Sequence, residues 1–165
     1  MGVDPGLTAT GYGVLELAPG GPRVIDIGVI TTASTQCLEA RLHVLHAAID
    51  ALIAARGPGL VVLEDLYTEY RFPRTAVLMG HARGVICLAA GRRGVPVLPL
   101  APAEVKRAVT GSGGAGKGQV QRSVQTLLGL AAPPRSSHVA DALALAVTGL
   151  GRITTRPLPG RARRP

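Results

Sequence analysis

A chain of 165 residues that is 47% hydrophobic has enough apolar mass for one ordinary domain with a core, which excludes a globally disordered protein. Eighteen basic residues against ten acidic ones give a formal charge of +8, which favours an anionic partner such as nucleic acid; no stretch joins a basic face to bulky anchors, so a membrane surface is the poorer partner. No signal peptide and no run of eighteen apolar residues is read, and Cys37 and Cys87 lie in helical patterns as buried, reduced thiols would in a cytoplasmic protein.

The front of the chain reads as a three-stranded meander. Residues 1–3 form a short apolar strand closed by Asp4-Pro5-Gly6. GYGVLEL (11–17) and RVIDIGVIT (23–31) follow as strands on either side of the turn APGGP. Residues 37–57 form the clearest helix, because Leu38, Leu42, Leu45, Ile49, Leu52 and Ile53 recur at helical spacing and Gly57-Pro58 stops the pattern. LVVLED (60–65) is a short run of β-branched residues and Leu, suited to a parallel strand buried on both faces. A second long helix spans 75–94 despite Gly80 and Gly84. VPVLPL (95–100) is a fifth strand, placed near a sheet edge by Pro96 and Pro99.

APAEVKRAVT then starts a helix with Pro102 in its first turn. A glycine-rich loop covers 110–118, QVQRSVQTLLGL is helical, and the last helix runs from His138 to about Leu150. The order βββαβαβααα predicts a mixed α/β domain over residues 1–150, with helices on both faces of the sheet. Residues 151–165 contain Arg152, Arg156, Arg161, Arg163 and Arg164 and no acid. They read as a basic, disordered tail that tracks phosphates.

Asp4 and Glu64 both end apolar strands, where polar residues of an open α/β sheet line the usual crevice. A carboxylate buried there must be hydrogen-bonded, paired or metal-bound. His138 and Asp141 stand three apart in SSHVADALALA, on one face of the final helix, with Ser136 or Ser137 as the cap. The small apolar residues around Asp141 predict a buried helix, on which an unpaired carboxylate is costly. Taken singly, these are strand-end caps, a dipole-stabilised acid and a surface histidine. Taken together, three carboxylates and an imidazole suit Mg²⁺ or Mn²⁺ and argue against Ca²⁺. A pair of such ions could activate a water and stabilise the leaving oxygen of a phosphodiester. A basic protein with that cluster reads most simply as a nuclease.

Lys106 and Lys117 are the only lysines among eighteen basic residues, and Lys117, beside the backbone N–H groups of the glycine-rich loop, suits a phosphate contact. Gly111, Gly116 and Lys117 come close to a nucleotide-binding P-loop, but position 118 is glycine where Ser or Thr is required. Tyr67 follows Glu64 by three residues and, with Arg71 and Arg74, offers a platform for unstacked bases. Tyr70 and Phe72 fit a loop packed on itself equally well.

DPGLTATGYGV, VLEDLY, GHARGV, APAEVKRAVTGSGGAGKGQV and SSHVADALALA resemble, in that order, blocks of the RuvC crossover junction endodeoxyribonucleases. The likeness runs from Gly2 to about Thr148. It implies a ribonuclease H-like fold with a five-stranded mixed sheet, and a homodimer that resolves four-way (Holliday) DNA junctions. The reaction it implies is metal-dependent hydrolysis that nicks two strands of like polarity and leaves 5′-phosphate and 3′-hydroxyl ends. By this resemblance Asp4, Glu64, His138 and Asp141 are the catalytic metal ligands for Mg²⁺ or Mn²⁺, two ions to a site. His138 takes a position where aspartate is usual. Tyr67 matches an aromatic near the crossover, Lys106 and Lys117 match DNA-binding lysines, and the implied partner is a branch-migration helicase. The helix around Thr75 to Ala90 is the expected dimer surface, because Gly80, Ala82 and Gly84 allow close approach.

Three other readings compete. An actin-like ATPase shares the opening phosphate-loop pattern but needs a second half. A junction-binding module would bind without cutting. A monomeric ribonuclease H-like nuclease would cut RNA or simple branches.

Overall fold

The computed structural model describes residues 1–65 and 73–155. Its ten elements follow the predicted order: β1 (Gly2–Asp4), β2 (Ala9–Ala18), β3 (Gly21–Thr31), α1 (Leu38–Arg56), β4 (Val61–Glu64), α2 (Pro73–Arg92), β5 (Val97–Leu100), α3 (Pro102–Thr110), α4 (Lys117–Leu127) and α5 (Ser137–Thr155). The five strands form one sheet in the order β3-β2-β1-β4-β5. β1 pairs antiparallel with β2 and parallel with β4, and β4 pairs parallel with β5. The three-residue β1 is therefore central, while β5 with its proline lies at an edge, where a missing N–H does least harm.

Strand alternation divides the core in two. On one face Val3, Val61 and Leu63 meet Leu45, Ile49 and Ile53 of α1 and Ala82, Ile86 and Ala89 of α2. On the other face Val62 and Leu100 meet Val105 and Val109 of α3, Val120 and Val124 of α4, and Val139 and Leu143 of α5. Helix α1 stops as predicted: Gly57 adopts φ 54° and its N–H bonds the carbonyl of Ile53.

Two glycines set the depth at which α5 lies on the sheet. A Cβ on Gly2 would overlap the carbonyl oxygen of Ala142 and stand 2.5 Å from the nitrogen of Ala146. One on Gly11 would overlap the carbonyl of His138 and stand 2.9 Å from its Cβ. Gly11 is the cross-strand neighbour of Asp4, so helix and acid meet where the sheet has no side chain to separate them.

Several details differ from the sequence reading. Cys37 is exposed, because it precedes α1 instead of facing its core. Helix α5 continues to Thr155, since Ile153 packs on the second core and Arg152 pairs with Glu104. Arg152 is thus helical and not part of a free arm; Arg156, Arg161, Arg163 and Arg164 lie outside the described residues. On α2, Ala82 is buried in the core and cannot serve an outer surface. The outer side of that helix presents Val77 at 59% exposure and Leu88 at 54%, with exposed His81 and Gly84 between them. No described helix is long and apolar enough to cross a membrane.

Candidate active site

Asp4 is the last residue of β1 and Glu64 the last of β4. These strands are parallel neighbours, so their carboxyl ends open side by side. Each acid follows its strand's alternation onto the face covered by α5. Asp141 comes down on them from above, and Asp4, Glu64, Asp141 and Lys106 line one cleft of about 40 Å³. That is space on the scale of an ion with a water or two.

His138, one turn before Asp141, reaches Asp4. Its Nδ1 lies 2.7 Å from Oδ2 of Asp4. With Asp4 ionised, Nδ1 carries the proton and donates it. That bond fixes the ring and leaves Nε2 as the nitrogen available to a ligand. The Asp4 side chain is 13% exposed and that of His138 44%. Asp141 is the fifth residue of α5, just beyond the first turn, so the helix dipole supports it less than the sequence suggested.

The three acids oppose one another. Burial raises Glu64, and the charges of Asp4 and Asp141 add to it, to about 7 against an ordinary 4.5; Lys106 pulls the other way. Burial also raises Asp4, helped by Asp141 and countered by the hydrogen bond from His138. Asp141 is raised by burial and eased by Lys117, His138 and Lys106. Such a group lacks positive charge, and a hard divalent cation is the species its donors fit. Among the described residues, no three of the His, Cys, Asp and Glu side chains converge as a ready-made cage. His138 is occupied by Asp4.

A stability consequence follows. Native Glu64 holds a proton that the unfolded chain gives up between pH 4.5 and about 7. Stability of the metal-free protein therefore falls as pH rises through that window. Thermal melts in EDTA should show this decline in the wild type and a shallower one in Glu64→Gln. Equal slopes would contradict the assignment.

The loop after Asp4 is held by groups the sequence reading passed over. Thr10, fully buried, donates its hydroxyl to the Gly6 carbonyl at 2.6 Å. Arg41 of α1 bonds Thr32 and Thr8, each at 2.9 Å, and Thr32 bonds the Leu7 carbonyl. Polar Thr10 between the apolar-facing positions of a central strand was the available signal. Lys106 stands at the cleft, whereas Lys117 is the first residue of α4 and acts on Asp4 and Asp141 by charge. The glycine-rich loop joins α3 to α4 with no strand before it, which is not P-loop geometry. Tyr67 and Arg71 lie outside the described residues; Arg74 is in the first turn of α2.

A central pair of parallel strands ending in acids, beneath a helix bearing a third, within a 3-2-1-4-5 sheet, defines a ribonuclease H-like enzyme. A family model described as "Crossover junction endodeoxyribonuclease RuvC" matches residues 1–149, and the chain belongs to that family of endonucleases. It is 44% identical to the crossover junction endodeoxyribonuclease RuvC of Rhodopirellula baltica over 151 residues, covering 90% of this chain and 84% of that one. Its fold is similar to the Thermus thermophilus RuvC structure, with a TM-score of 0.85 at 34% identity over 93% of this chain and 94% of that one. It matches T. thermophilus RuvC in complex with Holliday junction substrate equally well, with a TM-score of 0.85, 35% identity and the same coverage. The family is metal-dependent.

Proposed function

We propose that this chain is a Holliday junction resolvase that cuts at the cleft between Asp4, Glu64, His138 and Asp141. The observation that carries the reading is one cleft lined by the acids of β1, β4 and α5, with His138 bonded to the first of them, in a chain of this family. Asp4, Glu64 and Asp141 supply hard oxygen donors, and His138 supplies Nε2 while its Nδ1–H holds Asp4. These residues would hold Mg²⁺ or Mn²⁺, two ions to a site, and the metal would supply positive charge among the carboxylates and a water of lowered pKa for attack on phosphorus.

The chain's own groups do the rest. The apolar walls, Val105, Val120, Ala144 and Leu145, limit bulk water around the reacting phosphate. Lys106 at the cleft and Lys117 at the start of α4 hold the flanking phosphates. Arg71 and Arg74 extend that contact, and Tyr67 stacks on a base unpaired at the crossover. Products are a 5′-phosphate and a 3′-hydroxyl.

One cleft cuts one strand, so symmetric resolution calls for two chains about a twofold axis. The outer stripe of α2, Val77 and Leu88 around Gly84, is the dimer surface that suits this. A branch-migration helicase is the partner such an enzyme would work beside.

Cleavage of a mobile four-way junction beside a linear duplex of the same sequence tests the proposal. Paired nicks confined to the junction bear it out, and binding without nicks in either metal overturns it.

A further inference from the structure

Arg83 belongs to α2, on the face of the sheet away from the cleft, yet it holds the strand that carries Glu64. Its Nη1 donates to the Glu64 backbone carbonyl at 2.8 Å. Its Nη2 lies 3.4 Å from Oδ1 of Asp65. The side chain of Arg83 is 18% exposed, and its neighbours Ala82 and Ile86 are fully buried in the core. On the other side, the Asp65 N–H bonds the Leu100 carbonyl of β5 at 2.8 Å. The end of β4 is thus gripped between an edge strand and one guanidinium.

The grip has something to resist. Glu64 shares its cleft with Asp4 and Asp141, whose charges oppose its own whenever it ionises. A loose strand end would let its backbone give way. We propose that Arg83 is a positioning residue for cleavage, fixing the end of β4 so that the Glu64 carboxylate stays in the cleft. The inference rests on the cleft being the cutting centre. A planar fork suits a carbonyl and a carboxylate side by side, whereas a lysine would reach one of them. The low exposure of Arg83 separates it from the exposed basic groups suited to DNA phosphates.

The test compares Arg83→Met and Arg83→Lys with the wild type in the full chain. Three quantities are read: single-turnover cleavage under saturating protein, junction affinity in EDTA, and Mn²⁺ uptake followed by thermal shift. In Arg83→Met, cleavage slows by about 10²-fold, as a displacement of about 1 Å would give. The Mn²⁺ concentration for half-saturation rises, and junction affinity stays at the wild-type level. Arg83→Lys, the gentler change, recovers part of the rate. A fall in junction affinity that matches the fall in rate would make Arg83 a phosphate contact. Unchanged cleavage, or slowed cleavage with unchanged Mn²⁺ uptake, would also overturn the proposal. If the wild type takes up Mn²⁺ but cuts nothing, the resolvase reading fails, and the uptake comparison still decides the role of Arg83.

Discussion

Asp141→Asn is expected to slow junction cleavage by on the order of 10³-fold while making the metal-free protein more stable. The two effects have one origin. Asp141 adds negative charge to a cleft where Asp4 and Glu64 are already held above their ordinary carboxylate range, chiefly by burial. Asparagine keeps the shape and removes the charge. Glu64 and Asp4 then ionise more easily, and the folded state loses a repulsion it carried. What is lost with it is one of three oxygen anions that a divalent ion needs for tight binding. Junction affinity in EDTA should hold or rise, since a negative charge near the DNA path has gone. Thermal melts in EDTA, junction binding and single-turnover cleavage check the three parts. A variant that cuts like the wild type would remove Asp141 from the site. One that neither binds nor melts cooperatively would make it a structural residue.

Gly11→Ala should also slow cleavage, through a residue with no chemistry. The added Cβ would overlap the His138 carbonyl, which is helix backbone and cannot turn aside. The first turn of α5 must lift, which breaks the 2.7 Å contact between His138 and Asp4 and carries Asp141 with it. A lift of about 1 Å corresponds to about 10²-fold in rate. Gly91 on α2 provides the comparison, because a Cβ there meets nothing within 4 Å. Gly91→Ala should leave cleavage unchanged and stability unchanged or raised by less than roughly 0.5 kcal/mol, since Gly91 is the penultimate residue of α2. Equal cleavage by the two variants would show that α5 tolerates the lift and that the glycine contact does not set the site.

Much of this was legible in the residues. Asp4 and Glu64 stand out because each breaks an apolar strand at its carboxyl end, and His138 and Asp141 because a small-residue helix has little other reason to carry them. Pro96 and Pro99 marked the edge strand. What stayed hidden depends on pairs far apart in the chain. The role of Gly11 needs the register that sets it beside Asp4 and beneath His138. Arg83 lies in an ordinary helical pattern, and only the packing of α2 behind β4 brings it to the Glu64 carbonyl. The helical extension of α5 was obscured by composition: arginines without acids suggested a free arm, although Ile153, three residues after Leu150, continues the apolar face. Ala82 looked like a surface small residue for the same reason, since spacing alone does not say which side of α2 faces the sheet.

The most direct measurement is strand cleavage, at single-nucleotide resolution, of a mobile four-way junction and a linear duplex of the same sequence. Each is incubated with the wild type or Asp141→Asn in EDTA, Mg²⁺ or Mn²⁺. The expected result is a pair of symmetry-related nicks in strands of like polarity, on the junction alone, absent in EDTA and slowed by on the order of 10³-fold in Asp141→Asn. Tight junction binding without nicks in either metal, or equal cutting of junction and duplex, would contradict it.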